Sequence, residues 1–150
     1  CCAIRTLKRT TPRRGRNGLP TTKNRGVRPL QTDWTMLRGE VWHVDLDPVR
    51  GSEANKQRPA VVVSNDRANA TATRLGRGVV SVVPITSNTT KVFPFQVMLP
   101  RGSTGLKVES KAQAEQVRSI SVQRMLKCIG RVAPSEMTAI DEALRIHLDL

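Results

Sequence analysis

The run that most constrains this chain is Pro59-Ala60-Val61-Val62-Val63. It is continuously apolar and ends in three β-branched residues, the pattern of a strand buried on both sides. A second strand-like run precedes it, Val41 to Leu46, in which Trp42, Val44 and Leu46 share one face. Between the two lies the polar stretch Val49-Arg50-Gly51-Ser52-Glu53-Ala54-Asn55-Lys56-Gln57-Arg58. Polar loops held by a rigid sheet are where binding and catalytic groups concentrate.

Further short elements follow. Asn65 to Ala72 reads as a loop or a single helical turn, and Arg74-Leu75-Gly76-Arg77-Gly78 as a turn. Val79–Ile85 is predicted as a strand ending in the polar loop Thr86-Ser87-Asn88-Thr89-Thr90. Phe93–Leu99 is an edge strand because Pro94 interrupts it. Leu106–Ser110 is short and strand-like, and Lys111–Ile120 alternates, with Ala112, Ala114, Gln116 and Arg118 on one face. A short helix is expected over Val122–Leu126 and a last strand over Lys127–Val132. Pro134-Ser135-Glu136 then starts a helix, with Met137, Ile140, Ala143, Leu144 and Leu148 at near-helical spacing. Several short strands and one amphipathic helix imply a small, strongly bent sheet plugged by a helix, an α+β and mainly β fold.

Charge divides the chain. Residues 1–35 hold nine Lys or Arg against one acid, and residues 36–150 hold sixteen against eleven. The overall charge of +13 favours an anionic partner. Residues 1–35 lack apolar periodicity and read as a disordered basic extension, either an RNA-binding arm or a segment without a role. Met36-Leu37-Arg38-Gly39 resembles a natural start, so the domain expected is 36–150, with 1–35 upstream or foreign sequence. No apolar run reaches the roughly 20 residues that span a bilayer, and no secretory signal is visible, so a cytoplasmic protein is expected. Cys1, Cys2 and Cys128 give neither a disulfide framework nor a metal quartet, and Cys128 reads as a buried small hydrophobe.

Four motifs occur in order: Gly39-Glu40-Val41-Trp42 with Asp45-Leu46-Asp47-Pro48 and Gly51-Ser52-Glu53; Arg58-Pro59-Ala60-Val61-Val62-Val63; Pro84-Ile85-Thr86-Ser87; and Glu115-Gln116-Val117-Arg118. Asp141-Glu142-Ala143-Leu144 closes the series. From Met36 to Leu150 the chain thereby resembles the MazF/PemK toxin family, in a mycobacterial-like form. The resemblance implies an SH3-like barrel of the MazF/CcdB plasmid-maintenance-toxin type with a C-terminal amphipathic helix. It implies a sequence-selective, metal-independent endoribonuclease without cofactor, the toxin of a type II toxin–antitoxin pair. It implies a homodimer, single-stranded RNA as substrate, and a MazE-like antitoxin with an acidic C-terminal segment as partner.

By motif match, Arg58 and Thr86 are the catalytic pair and Glu53 a proton-transfer partner. The chemistry suits them. RNA carries its own nucleophile, the 2′-hydroxyl, so the protein has to stabilise phosphorane charge and move protons. A guanidinium, always charged and forked, suits phosphate oxygens. Which group is base and which acid stays open. Ser52, Asn55, Lys56 and Gln57 are expected to line the RNA path from the loop, and Ser87, Asn88, Gln116 and Arg118 from neighbouring strands. His43 and His147 lie on different elements, so a paired-histidine nuclease is not indicated, and both read as structural. No His/Cys/Asp cluster has metal-ligand spacing. Asp45 is expected to satisfy backbone donors of the loop rather than to hold Mg²⁺. Two rivals remain: a CcdB-like gyrase poison, which calls for an aromatic C-terminal tail where this chain has His147-Leu148-Asp149-Leu150, and a basic nucleic-acid-binding barrel without activity.

Overall fold

The computed structural model describes residues 5–6, 35–48, 51–53 and 56–150. In chain order its elements are β1 (Arg5–Thr6), β2 (Glu40–Asp45), β3 (Gln57–Val62), α1 (Asp66–Leu75), β4 (Val79–Thr86), β5 (Gln96–Leu99), β6 (Ser110–Gln113), β7 (Arg118–Ser121), β8 (Met125–Arg131) and α2 (Pro134–Leu148), with 3-10 turns at Ala114–Gln116 and Val122–Arg124. The strands form an antiparallel sheet in the order β1-β8-β2-β3-β4-β6-β5, and β7 also pairs with β4. β4 is the hub. It pairs with β3 along one edge, while β7 takes Val79–Val82 and β6 takes Ile85–Thr86. The 3-10 turn at Ala114–Gln116 carries the chain from β6 to β7.

Both faces of the central strands are covered, as the uninterrupted Ala60–Val63 run predicts. Trp42, Val44, Leu46, Ala60, Val62 and Val82 belong to one core; Val41, Val61, Val63, Val83 and Ile85 belong to another, with Ile140 of α2. Burying each such side chain contributes about 1.5–3 kcal/mol. The polar member of the opening motif is explained by this burial. Glu40 is 5% exposed and accepts from the Trp42 indole at 3.0 Å and from the Leu37 amide at 3.1 Å. Cys128 is buried as expected, its thiol directed at the Gly130 carbonyl.

Four expectations are corrected. Asp66–Leu75 is a full α-helix, not a loop or single turn. Its ends are well marked: Asn65 accepts from the Ala68 amide at 2.9 Å and Gly76 closes it with φ 60°. Its buried face consists of Asn69, Ala72 and Thr73, so no apolar stripe announced it. Asn69 is fully buried because its amide donates to the Ser64 carbonyl at 2.9 Å and its carbonyl accepts from the Ser64 hydroxyl. Second, β3 begins at Gln57, so Gln57 and Arg58 are strand residues opposite Asp45 and Val44. Third, Leu106–Glu109 is not a strand; pairing starts only at Ser110, opposite Leu99. Fourth, the strand expected over Lys111–Ile120 is split by the 3-10 turn. The edge reading of the Pro94 strand holds in its final residues, Gln96–Leu99, at the end of the sheet. The disordered extension expected over 1–35 lies outside the described residues, except for Thr35 and for Arg5–Thr6, which pair with Cys128 and Lys127 of β8.

α2 starts where Pro134 predicts. Ala133 has no side-chain acceptor, but Glu136 reaches back to its amide at 2.7 Å, half of a capping box. Arg38 ties the start of β2 to the helix through an ion pair with Asp141. Among the described residues no helix is long and apolar enough to cross a membrane.

Candidate active site

Strand register places the two residues that the motifs single out. Ala60, Val61 and Val62 pair with Pro84, Val83 and Val82. Continued by two residues, that register sets Arg58 level with Thr86, and the period of two puts both on the same face as Ala60 and Pro84. Val44 lies opposite Arg58 on the other side, and Lys111 opposite Thr86. Lys111 is 7% exposed, and its ammonium donates to the Lys91 carbonyl, which holds the loop after β4 close to the sheet.

A cavity of about 420 Å³ opens at this end of the strands, lined by Arg58, Thr86, Ser87, His43, Pro59, Ile85, Gly105, Leu106, Lys107, Val108, Ser110 and Ile129. Its interior is apolar where Pro59, Ile85, Leu106 and Ile129 meet, and Arg58 and Lys107 make it cationic. The Thr86 hydroxyl accepts from the Asn88 amide at 3.3 Å, which leaves its own proton available for an acceptor such as a phosphate oxygen.

The far wall depends on glycine. Gly105 has φ +72°, and a Cβ there would stand 1.9 Å from the Ile129 carbonyl oxygen. The 102–105 turn can therefore lie flat on β8, where Arg131 donates to the Ser103 carbonyl at 3.0 Å. That contact brings Leu106 and Lys107 over the cavity.

The loop between β2 and β3 is closed at its base. Asp45 accepts from the Asp47 amide at 3.2 Å, as its sequence position suggests, and Asp47 accepts from the Lys56 amide at 2.9 Å. Lys56 has φ 59° and its carbonyl accepts from Leu46. Arg124 donates to the carbonyls of both Asp45 and Asp47. At the tip, Gln116 donates to the Ser52 carbonyl at 3.3 Å, so two segments expected to meet RNA touch each other.

Of the residues expected at the site, the cavity brings together Arg58, Thr86 and Ser87. Ser52, Glu53, Lys56, Gln57 and Asn88 are exposed and do not line it, and Gln116 and Arg118 are half-buried and do not line it either, Arg118 standing opposite Val82. Asn55 lies outside the described residues. Among the described residues, no three His, Cys, Asp or Glu side chains converge as metal ligands.

His43, Lys107 and Ser110 line the cavity although sequence reasoning did not place them there. His43, which reads as structural from the sequence, lines the cavity from the face of β2 opposite Trp42 and Val44, level with Pro59. His147, by contrast, lies against Phe95, their ring centroids 6.1 Å apart. His43 faces Lys127 across the β2–β8 pairing. Burial, then the charges of Lys127 and Lys107, push its imidazole below the ordinary value of 6.5. The sign of the consequence is fixed. As pH falls below 6.5, the unfolded chain binds this proton and the folded chain does not, so His43 costs stability in the window below 6.5. Thermal melting at pH 7, 6 and 5 should show a drop that is smaller in His43→Phe. Equal pH dependence in both proteins would contradict this.

Comparison with known proteins agrees with this architecture. Residues 37–148 match the family model described as PemK-like, MazF-like toxin of type II toxin–antitoxin system. Endoribonuclease MazF9 of Mycobacterium tuberculosis is 70% identical over 115 residues, 77% of this chain and 98% of that protein. The crystal structure of MazF from Deinococcus radiodurans superposes with a TM-score of 0.67 at 24% identity, covering 79% of this chain and all of that one. A mycobacterial endoribonuclease in complex with its cognate antitoxin gives 0.61 at 23% identity, covering 77% and 96%. The fold is thus the α+β, mainly β MazF/CcdB type, and the mycobacterial resemblance holds. On the family match and the relatedness to MazF9, the chain belongs to the PemK-like, MazF-like toxins of type II toxin–antitoxin systems.

Proposed function

We propose that this endoribonuclease toxin cuts single-stranded RNA without a metal, by attack of the 2′-hydroxyl on the adjacent phosphate. A bond forms between O2′ and phosphorus, and the bond from phosphorus to O5′ breaks. One proton leaves O2′ and one arrives at O5′, giving a 2′,3′-cyclic phosphate and a 5′-hydroxyl. Arg58 forks onto the phosphate oxygens and stabilises the added charge, and Thr86 donates its hydroxyl to the same group. Glu53, on the loop that precedes β3, is the proton-transfer partner. The observation that carries this reading is that Arg58 and Thr86, on neighbouring strands, both line one cavity. Among the described residues no carboxylate lines that cavity, so it suits a phosphate rather than a cation.

The surrounding polar residues give the RNA its path: Ser52, Asn55, Lys56 and Gln57 from the loop, and Ser87, Asn88, Gln116 and Arg118 from the sheet. The same cationic path is open to an acidic segment of a MazE-like antitoxin, which would compete with RNA. A homodimer acting on RNA in the cytoplasm completes the reading. The relatives' own names, endoribonuclease in each case, weigh against a gyrase poison or an inert binding barrel.

The test is incubation of the purified protein with a long RNA in excess EDTA, followed by mapping of both new ends. Cutting should persist, with cyclic phosphate and 5′-hydroxyl termini. Loss of cutting in EDTA with recovery in Mg²⁺ would refute the mechanism, and binding without new ends would favour the inert barrel.

A further inference from the structure

The cavity is larger than a phosphate needs. Its volume of about 420 Å³ is within the range of small-ligand sites and large enough for one nucleotide. The apolar lining residues that retain accessible surface, Pro59, Ile129 and Val108, suit the flat face of a base, while Arg58 and Lys107 suit the phosphate attached to it. Single-stranded RNA offers such bases unstacked and open at their edges, whereas a duplex does not. His43 supplies the lining's one side chain with both a ring donor and a ring acceptor.

We propose that this cavity seats one unpaired nucleobase next to the scissile phosphate and that His43 reads its edge by hydrogen bonding, which makes His43 a specificity-determining residue. The inference rests on the reading of Arg58 and Thr86 as the cleavage site. The charges around His43 assign it this task and not that of a proton shuttle. Lys127 faces it from β8, Lys107 from the 102–109 segment, and Arg58 lines the same cavity from β3. An imidazolium formed by accepting the 2′-hydroxyl proton would face the charges of Lys127 and Lys107. The neutral ring keeps one N–H donor and one nitrogen acceptor, the pair that discriminates base edges, and its depressed pKa agrees with that state.

The experiment compares cut sites in a pool of random-sequence RNA for the parent, His43→Phe and His43→Gln, with Arg58→Ala as the control for contaminating nuclease. His43→Phe keeps a flat ring and removes both hydrogen bonds. It should cut the parent's preferred sequence roughly tenfold more slowly, the scale of one lost hydrogen bond, and lose preference at one position next to the cut. His43→Gln should retain more of it. If the parent cuts and His43→Phe keeps the same preference, the pocket assignment fails while the cleavage reading stands. If the parent does not cut, both fail. Should His43→Phe not fold, the parent decides. Titrated with the four ribonucleoside monophosphates, its His43 ring resonances should shift to different extents for different bases. Identical shifts with all four and with inorganic phosphate would overturn the proposal.

Discussion

Arg58→Ala should cut RNA about 10²–10³-fold more slowly than the parent, the scale for removing one preorganised donor from transition-state charge. The loss should be in turnover and not in folding. Arg58 is half-buried at the second residue of β3, outside both apolar clusters, and its backbone pairs with Val44 whatever side chain it carries. Thr86→Ala should follow the same course with an equal or smaller loss, since it removes a neutral donor. The measurement is single-turnover cleavage of a defined RNA, with circular dichroism and melting as controls. If Arg58→Ala cuts at the parent rate, the assignment of the site is wrong.

Gly105→Ala should destabilise the fold by roughly 3 kcal/mol or more, by a different mechanism. The residue has φ +72°, where an L side chain costs about 1–2 kcal/mol. Its Cβ would also overlap the Ile129 carbonyl oxygen at 1.9 Å. That neighbour is backbone in β8 and cannot swing aside, so the 102–105 turn has to lift, at a further cost of about 1–3 kcal/mol. Lifting breaks the bond from Arg131 to the Ser103 carbonyl and disturbs Thr104, which is fully buried with its hydroxyl on the Pro100 carbonyl at 2.6 Å. Activity should be lost together with stability, unlike in Arg58→Ala. A urea midpoint equal to the parent's would show that the turn yields easily and that the wall is not rigid.

What was legible in the sequence follows from where the information lies. β2, β3 and β4 announce themselves because their side chains alternate or run apolar, and the start of α2 because Pro134 and Glu136 are local signals. Arg58 and Thr86 were found through motifs, and their juxtaposition depends on a register that can be read only once β3 and β4 are paired. α1 is not legible in the sequence because its inner face is satisfied by hydrogen bonds from Asn69 and not by a hydrophobic stripe. The local signals it does carry are its caps, Asn65 and Gly76. His43 reads as structural in the sequence because its surroundings come from elsewhere: Lys127 from β8, and Lys107 from a segment held down by Gly105. Nothing within a few residues of position 43 encodes either neighbour. Leu106 to Ser110 looked like a strand because it is partly apolar, yet Leu106 turns inward to the second core while Val108 is 55% exposed.

The place of β2 in the sheet bears on when the toxin becomes dangerous to the cell that makes it. One neighbour of β2 is β3, the next strand in the chain; the other is β8, the last strand made. A hairpin of β2 and β3 forms early in synthesis, but the opposite edge of β2 waits for Met125–Arg131, and contacts so distant along the chain form slowly. Ile129, which lines the cavity, and Gly130 and Arg131, which seat the turn above it, arrive in that same strand. A nascent chain that stops short of β8 carries Arg58 and Thr86 yet has no finished cleft around them. The ribosome thus adds Met125–Arg131 before the product has a formed cleft around Arg58 and Thr86.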